Sequence, residues 1–70
     1  MPIDEKVLKD FDRYHDMVDK LAEWIDRIYY DPGFATFSNK PKISYIITAC
    51  DFIRENLKLL KAEYIIRKKE

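Results

Sequence analysis

The sequence predicts an all-α protein, an antiparallel two-helix hairpin with helices over about residues 4–30 and 41–68 that dimerises into a four-helix bundle. Three observations predict it. Apolar residues recur at alternating steps of three and four through two long segments. A single cluster of helix breakers separates those segments. The second segment carries a further apolar line, on another side of the same helix, that one partner helix cannot cover.

The first helix is expected from about Asp4 to Tyr30. Pro2 suits a first turn, and Asp4 and Glu5 place negative charge at the positive end of the helix dipole. Its stripe is Val7, Phe11, Tyr14, Val18, Leu21, Ile25 and Ile28. Leu8, Ala22 and Tyr29 widen one flank; Met17 and Trp24 widen the other, giving the breadth of a helix in a bundle. Elsewhere Glu5, Asp12, Asp19 and Asp26 form an acidic line, with Lys6, Arg13, Lys20 and Arg27 beside it. Such lines read as a solvated face laced by i,i+4 pairs.

Asp31-Pro32-Gly33 ends this helix, with Pro32 opposing helical geometry at Asp31 and Gly33 able to take a positive φ. Phe34 and Phe37 follow in the loop and are expected to fold back over the helix ends; exposed, they would make a docking patch. Ser38 or Asn39 can cap the next helix, and Pro41 belongs in its first turn.

The second helix is expected from about Pro41 to Arg67 or Lys68. Its main stripe is Ile43, Ile46, Cys50, Ile53, Leu57, Leu60 and Tyr64. Folding the chain back at the loop pairs residue i with one near 71 − i, so that every member of one stripe meets a member of the other, from Ile28/Ile43 to Val7/Tyr64. That mirror relation specifies an antiparallel αα-hairpin.

The pairing leaves a surplus. Tyr45, Phe52, Leu59 and Ile66 repeat every seven residues on the second helix, with Ala49 near their edge, and Met17 and Trp24 project from the first. So large an apolar patch marks an interface, and a two-fold homodimer would close it with the same patch from a second copy. Ala49 would leave room for a large neighbour such as Trp24.

Size points the same way. Seventy residues with one cysteine and one histidine supply neither an intrachain disulfide nor a closed zinc site of thiolate and imidazole ligands. Oligomerisation is the remaining common support for so small a core. The lone cysteine and the start Met1-Pro2-Ile3-Asp4-Glu5, which is not a basic segment followed by an apolar run, lead to the expectation of a cytoplasmic protein. No apolar stretch nears the roughly 18 residues of a membrane span, and no membrane role is expected.

Chemistry is sparse. His15, at the edge of the first stripe, is read as a structural boundary residue, with Asp12, Asp16 and Asp19 pointing elsewhere. Cys50 should be buried and unreactive. Gly33 is the only glycine, so there is no phosphate loop, and neither the di-metal nor the calcium-loop spacing is present. No catalytic residue, cofactor or metal is expected.

The expected function is a non-enzymatic protein–protein interaction module that associates with itself and binds, blocks or scaffolds another macromolecule. Tyr29, Tyr30, Phe34 and Phe37 are the candidate contacts for that unknown protein partner. The alternative is a nucleic-acid-binding dimer using a basic ridge of Arg54, Lys58, Lys61 and Lys68. Against it stands a formal net charge of zero. The charge is nonetheless split: residues 1–33 carry five Lys/Arg and nine Asp/Glu, a net of −4, and residues 34–70 carry eight and four, a net of +4. Attraction between antiparallel halves is the expected reason for that split; the alternative is that the basic half meets an acidic partner.

Overall fold

The structure, a computed structural model, describes residues 2–69. It has two helices packed against each other, α1 over Glu5–Tyr29 and α2 over Lys40–Lys69. Together they form a hairpin 52 Å long, 16 Å wide and 10 Å deep.

Asp4, not Pro2, sets the start of α1. Its backbone is extended and its carboxylate accepts from the Lys6 N–H at 2.9 Å, the N-cap role that small acidic side chains fill. The Asp4 N–H donates to the Tyr64 hydroxyl at 3.0 Å, which ties this end of α1 to α2. Tyr64 also lies 6.2 Å from Phe11, ring centre to ring centre.

At the other end, Asp31 closes the turn without help from a left-handed residue. Its carboxylate accepts from the Gly33 N–H at 2.8 Å, and its carbonyl accepts from Phe34 and Ala35. Asp at the first position and Pro at the second favour a type I β-turn, which needs no positive φ. Among the described residues no glycine has a positive φ, so the expected role of Gly33 is corrected: a side chain–backbone turn replaces it. The Thr36 hydroxyl and carbonyl then both accept from the Asn39 N–H, and the Asn39 carbonyl begins the α2 ladder. The Asn39 side chain donates back to the Phe34 carbonyl at 3.0 Å.

Two ion pairs fix the helix register. Asp19 meets Arg54 at 3.0 Å and Asp12 meets Lys61 at 2.6 Å; both pairs have residue numbers adding to 73, against the 71 expected. The antiparallel hairpin and its register stand to within two residues.

The seam itself is rotated. On α2 the positions covered at heptad spacing are Ile43, Ile47, Cys50, Arg54, Leu57, Lys61 and Tyr64, while Ile46, Ile53 and Leu60 are exposed. On α1 the covered line is Leu8, Phe11, His15, Val18, Ala22, Ile25 and Tyr29, while Tyr14 and Leu21 are exposed. Five of the residues expected to fill the core of the hairpin are thus half in water. The physical reason lies in the cations: the hydrocarbon stems of Arg54 and Lys61 cover the seam while their heads reach the acidic line of α1. Only Ile25, Ile43 and Cys50 are buried among the described residues, Cys50 most of all.

Candidate interaction surface

One residue along a helix turns the direction of its side chain by about 100°. That step explains the two contrasting sides of the hairpin. From the seam of α1, Asp12 and Asp19 turn one way, and Tyr14 and Leu21 the other. From the seam of α2, Lys58 and the guanidinium head of Arg54 accompany the acids, and Ile53 and Leu60 accompany the apolar residues. The grooves along the seam show the same division. On one side Asp12, His15, Lys58 and Lys61 rim a groove floored by Phe11 and Leu57; on the other Val7, Asp10, Phe11, Tyr14 and Leu57 line an almost wholly apolar one.

The apolar side is built by both helices. Tyr14, Met17, Leu21 and Trp24 come from α1 and Ile46, Ile53 and Leu60 from α2, and all seven are exposed. Sequence reasoning identifies Met17 and Trp24 here and misses the other five, which hydropathy assigns to the core. The signal is present: each of Ile53 and Leu60 is followed by a cation with a long apolar stem, so the phase of the heptad is open at those steps.

The second line lies further round. Phe52 is another step of about 100° beyond Ile53 and faces away from α1. Tyr45, Phe52, Leu59 and Ile66 are all strongly exposed, Tyr45 at 76%, and Ala49 is half-buried. These residues therefore form the outer rim of α2, adjoining the two-helix face through Ala49 and Ile53.

The polar side is internally satisfied. The Asp19 hydrogen bond holds the Arg54 guanidinium above its ordinary pKa; desolvation opposes this and Asp51, its second partner, adds to it. Lys61 is paired with Asp12. Lys58 and Lys68 make no ion pair among the described residues, and the Lys68 ammonium lies 5.7 Å from the centre of the Tyr64 ring. Half of the expected basic ridge is thus turned into the hairpin and neutralised. His15 Nδ1 lies 3.3 Å from the Asp19 carboxylate, so Asp19, one turn along the helix, does not point elsewhere as expected. His15 Nε2 is buried without a hydrogen-bond partner.

At the loop end, Tyr29 is half-buried beneath the Lys40 ammonium, 5.4 Å from its ring centre, and meets Tyr30 edge-on at 5.1 Å. Phe34 is half-exposed, and Phe37 is 98% exposed. The expected plug does not form at Phe37: the Thr36–Asn39 turn closes through its own backbone and leaves the ring outside.

Among the described residues no group of three or more His, Cys, Asp or Glu side chains could hold a metal ion. No described helix is long and apolar enough to cross a membrane. Comparison with protein-family models, with curated proteins and with solved structures returned no match. The functional reading comes from this chain's own side chains.

Proposed function

We propose that this chain is a non-enzymatic interaction module, a helical hairpin that associates with a second copy of itself and presents the resulting bundle to another macromolecule. The observation that carries this is the continuous exposed apolar face spanning both helices. A hairpin with three buried side chains among its described residues and fourteen large apolar ones exposed leaves much of its apolar surface in water as a monomer. The seven residues of that face run from Tyr14 to Trp24 on α1 and from Ile46 to Leu60 on α2, about 20 Å of helix at 1.5 Å per residue, in the middle of a hairpin 52 Å long. The grooves between the helices are shallow and open, and Cys50, the one nucleophilic thiol, is sealed in the seam, which favours binding over chemistry.

The exposed loop aromatics Tyr30, Phe34 and Phe37, with Tyr29 beside them, supply the contact for the further partner. Light scattering on the eluting protein over a hundredfold concentration range tests the self-association. A mass of two chains that falls to one on dilution is expected; a single-chain mass throughout, with full helicity, would refute it.

A further inference from the structure

Resting on that reading, the geometry points to one arrangement of the two copies: a two-fold axis parallel to the helices, so that each α1 lies beside the partner's α2 and both loops sit at the same end. Two hairpins meeting through their apolar faces have two symmetric choices. With the axis along the helices, α1 packs on the partner's α2. With the axis across them, α1 packs on the partner's α1, α2 on the partner's α2, and the loops point to opposite ends. Both make every neighbouring pair antiparallel, so helix direction does not choose between them.

Charge does. On α1 the edge bordering the apolar face carries a cation at each repeat, through Lys6, Arg13, Lys20 and Arg27, of which Arg13 is paired with Asp10 and Lys20 with Asp16. On α2 the corresponding edge carries Tyr45, Ala49, Phe52, Asn56 and Glu63, with Lys42 and Arg67 at its two ends. Like helix on like helix would align two basic edges along α1 and bring Lys42 of one α2 to the end where the other carries Arg67. Like charges side by side cost stability. Unlike helices side by side place Lys20 and Arg27 against two aromatic faces, where they gain cation–π contacts, and bring like charges level at one step alone, where Lys6 and Asp10 meet the partner's Arg67–Glu63 pair.

Register supports the same choice. Within the hairpin, residues whose numbers add to about 73 are level, and an axis along the helices preserves those levels between copies. Trp24 then comes level with the partner's Ala49, a bulky ring against the smallest side chain on that edge. Lys20 comes level with the partner's Phe52, and Arg27 with the partner's Tyr45. The outer line of α2 is thereby used as the rim of the interface. The two copies' loops also converge, which brings Phe34 and Phe37 of both chains into one aromatic patch.

A spin label on the loop separates the outcomes. The Ser38→Cys variant, with Cys50→Ala, is labelled at its one remaining thiol and the intermolecular distance is measured by pulsed dipolar spectroscopy. Packed helices lie about 8–10 Å apart, so same-end loops place the labels within roughly 30 Å of each other. Loops at opposite ends of a rod 52 Å long place them that length apart. A dimer with the short distance supports the arrangement; a dimer with the long one overturns it and leaves the self-association intact. A single-chain mass with no intermolecular signal overturns both. Should Cys50→Ala fail to fold, Ser38→Cys alone serves, because the buried Cys50 thiol resists labelling under native conditions.

Discussion

Replacing Ile53 and Leu60 together by glutamate separates the hairpin's core from its proposed interface. Ile53 is 44% exposed and Leu60 51% exposed in the hairpin. Full burial of a large aliphatic side chain contributes about 1.5–3 kcal/mol, so covering the exposed part of both is worth roughly 1.5–3 kcal/mol per copy and about 3–6 kcal/mol per dimer. At a factor of ten for every ~1.4 kcal/mol, losing that contribution weakens association by roughly a hundred- to ten-thousand-fold. Burying the new carboxylates without partners weakens it further. The hairpin itself loses little, because glutamate is a good helix former and both positions already meet water. Sedimentation equilibrium should therefore show the double variant as a single chain at concentrations where the parent is two chains, with a far-UV circular dichroism spectrum still helical. An unchanged dissociation constant would show that this face is not the interface. Loss of helicity at concentrations where the diluted parent monomer remains helical would show that Ile53 and Leu60 belong to the core.

Other substitutions probe the seam. Ile43→Ala, at a buried position, should cost about 2–5 kcal/mol in urea unfolding, as large-to-small core changes do. His15→Met removes a buried nitrogen without a partner together with the Nδ1 contact to Asp19, and should leave stability unchanged or raise it by about 1 kcal/mol; a clear loss would show that the Asp19 contact outweighs the cost of the unpartnered Nε2. Asp19→Asn should cost no more than about 1 kcal/mol, shrinking as salt is added, because the Arg54–Asp19 pair is partly exposed. With Arg54 and Lys61 engaged by carboxylates, mixed-sequence RNA and DNA should bind weakly at low salt or not at all. Tight binding that falls steeply with salt and is lost in Lys58→Ala with Lys68→Ala would establish the nucleic-acid reading instead.

The sequence displays the hairpin plainly because its ends and length are written in local chemistry. Asp4 caps, Asp31-Pro32-Gly33 turns and Pro41 restarts, and heptad spacing on either side leaves one antiparallel register within two residues of the observed one. The rotation of α2 about its own axis is not legible. Ile46 and Ile47 are equivalent to any hydropathy argument, and at Ile53-Arg54 and Leu60-Lys61 hydropathy alone puts the apolar residue inside. A long cation facing an acidic neighbour helix reverses that choice, since its stem covers the seam and its head stays wet. The residues of the proposed interface go partly unseen for the same reason: hydropathy places Tyr14, Leu21, Ile46, Ile53 and Leu60 in the core. The His15–Asp19 contact is legible in principle, being an i,i+4 pair.

Trp24 reports on the central claim by itself, because it is the only tryptophan and is 53% exposed in the hairpin. Acrylamide quenching of its fluorescence should be strong in dilute solution and fall as concentration rises, with the same midpoint as the change in mass. Quenching that stays strong and constant while the mass doubles would place the second copy elsewhere and contradict the account.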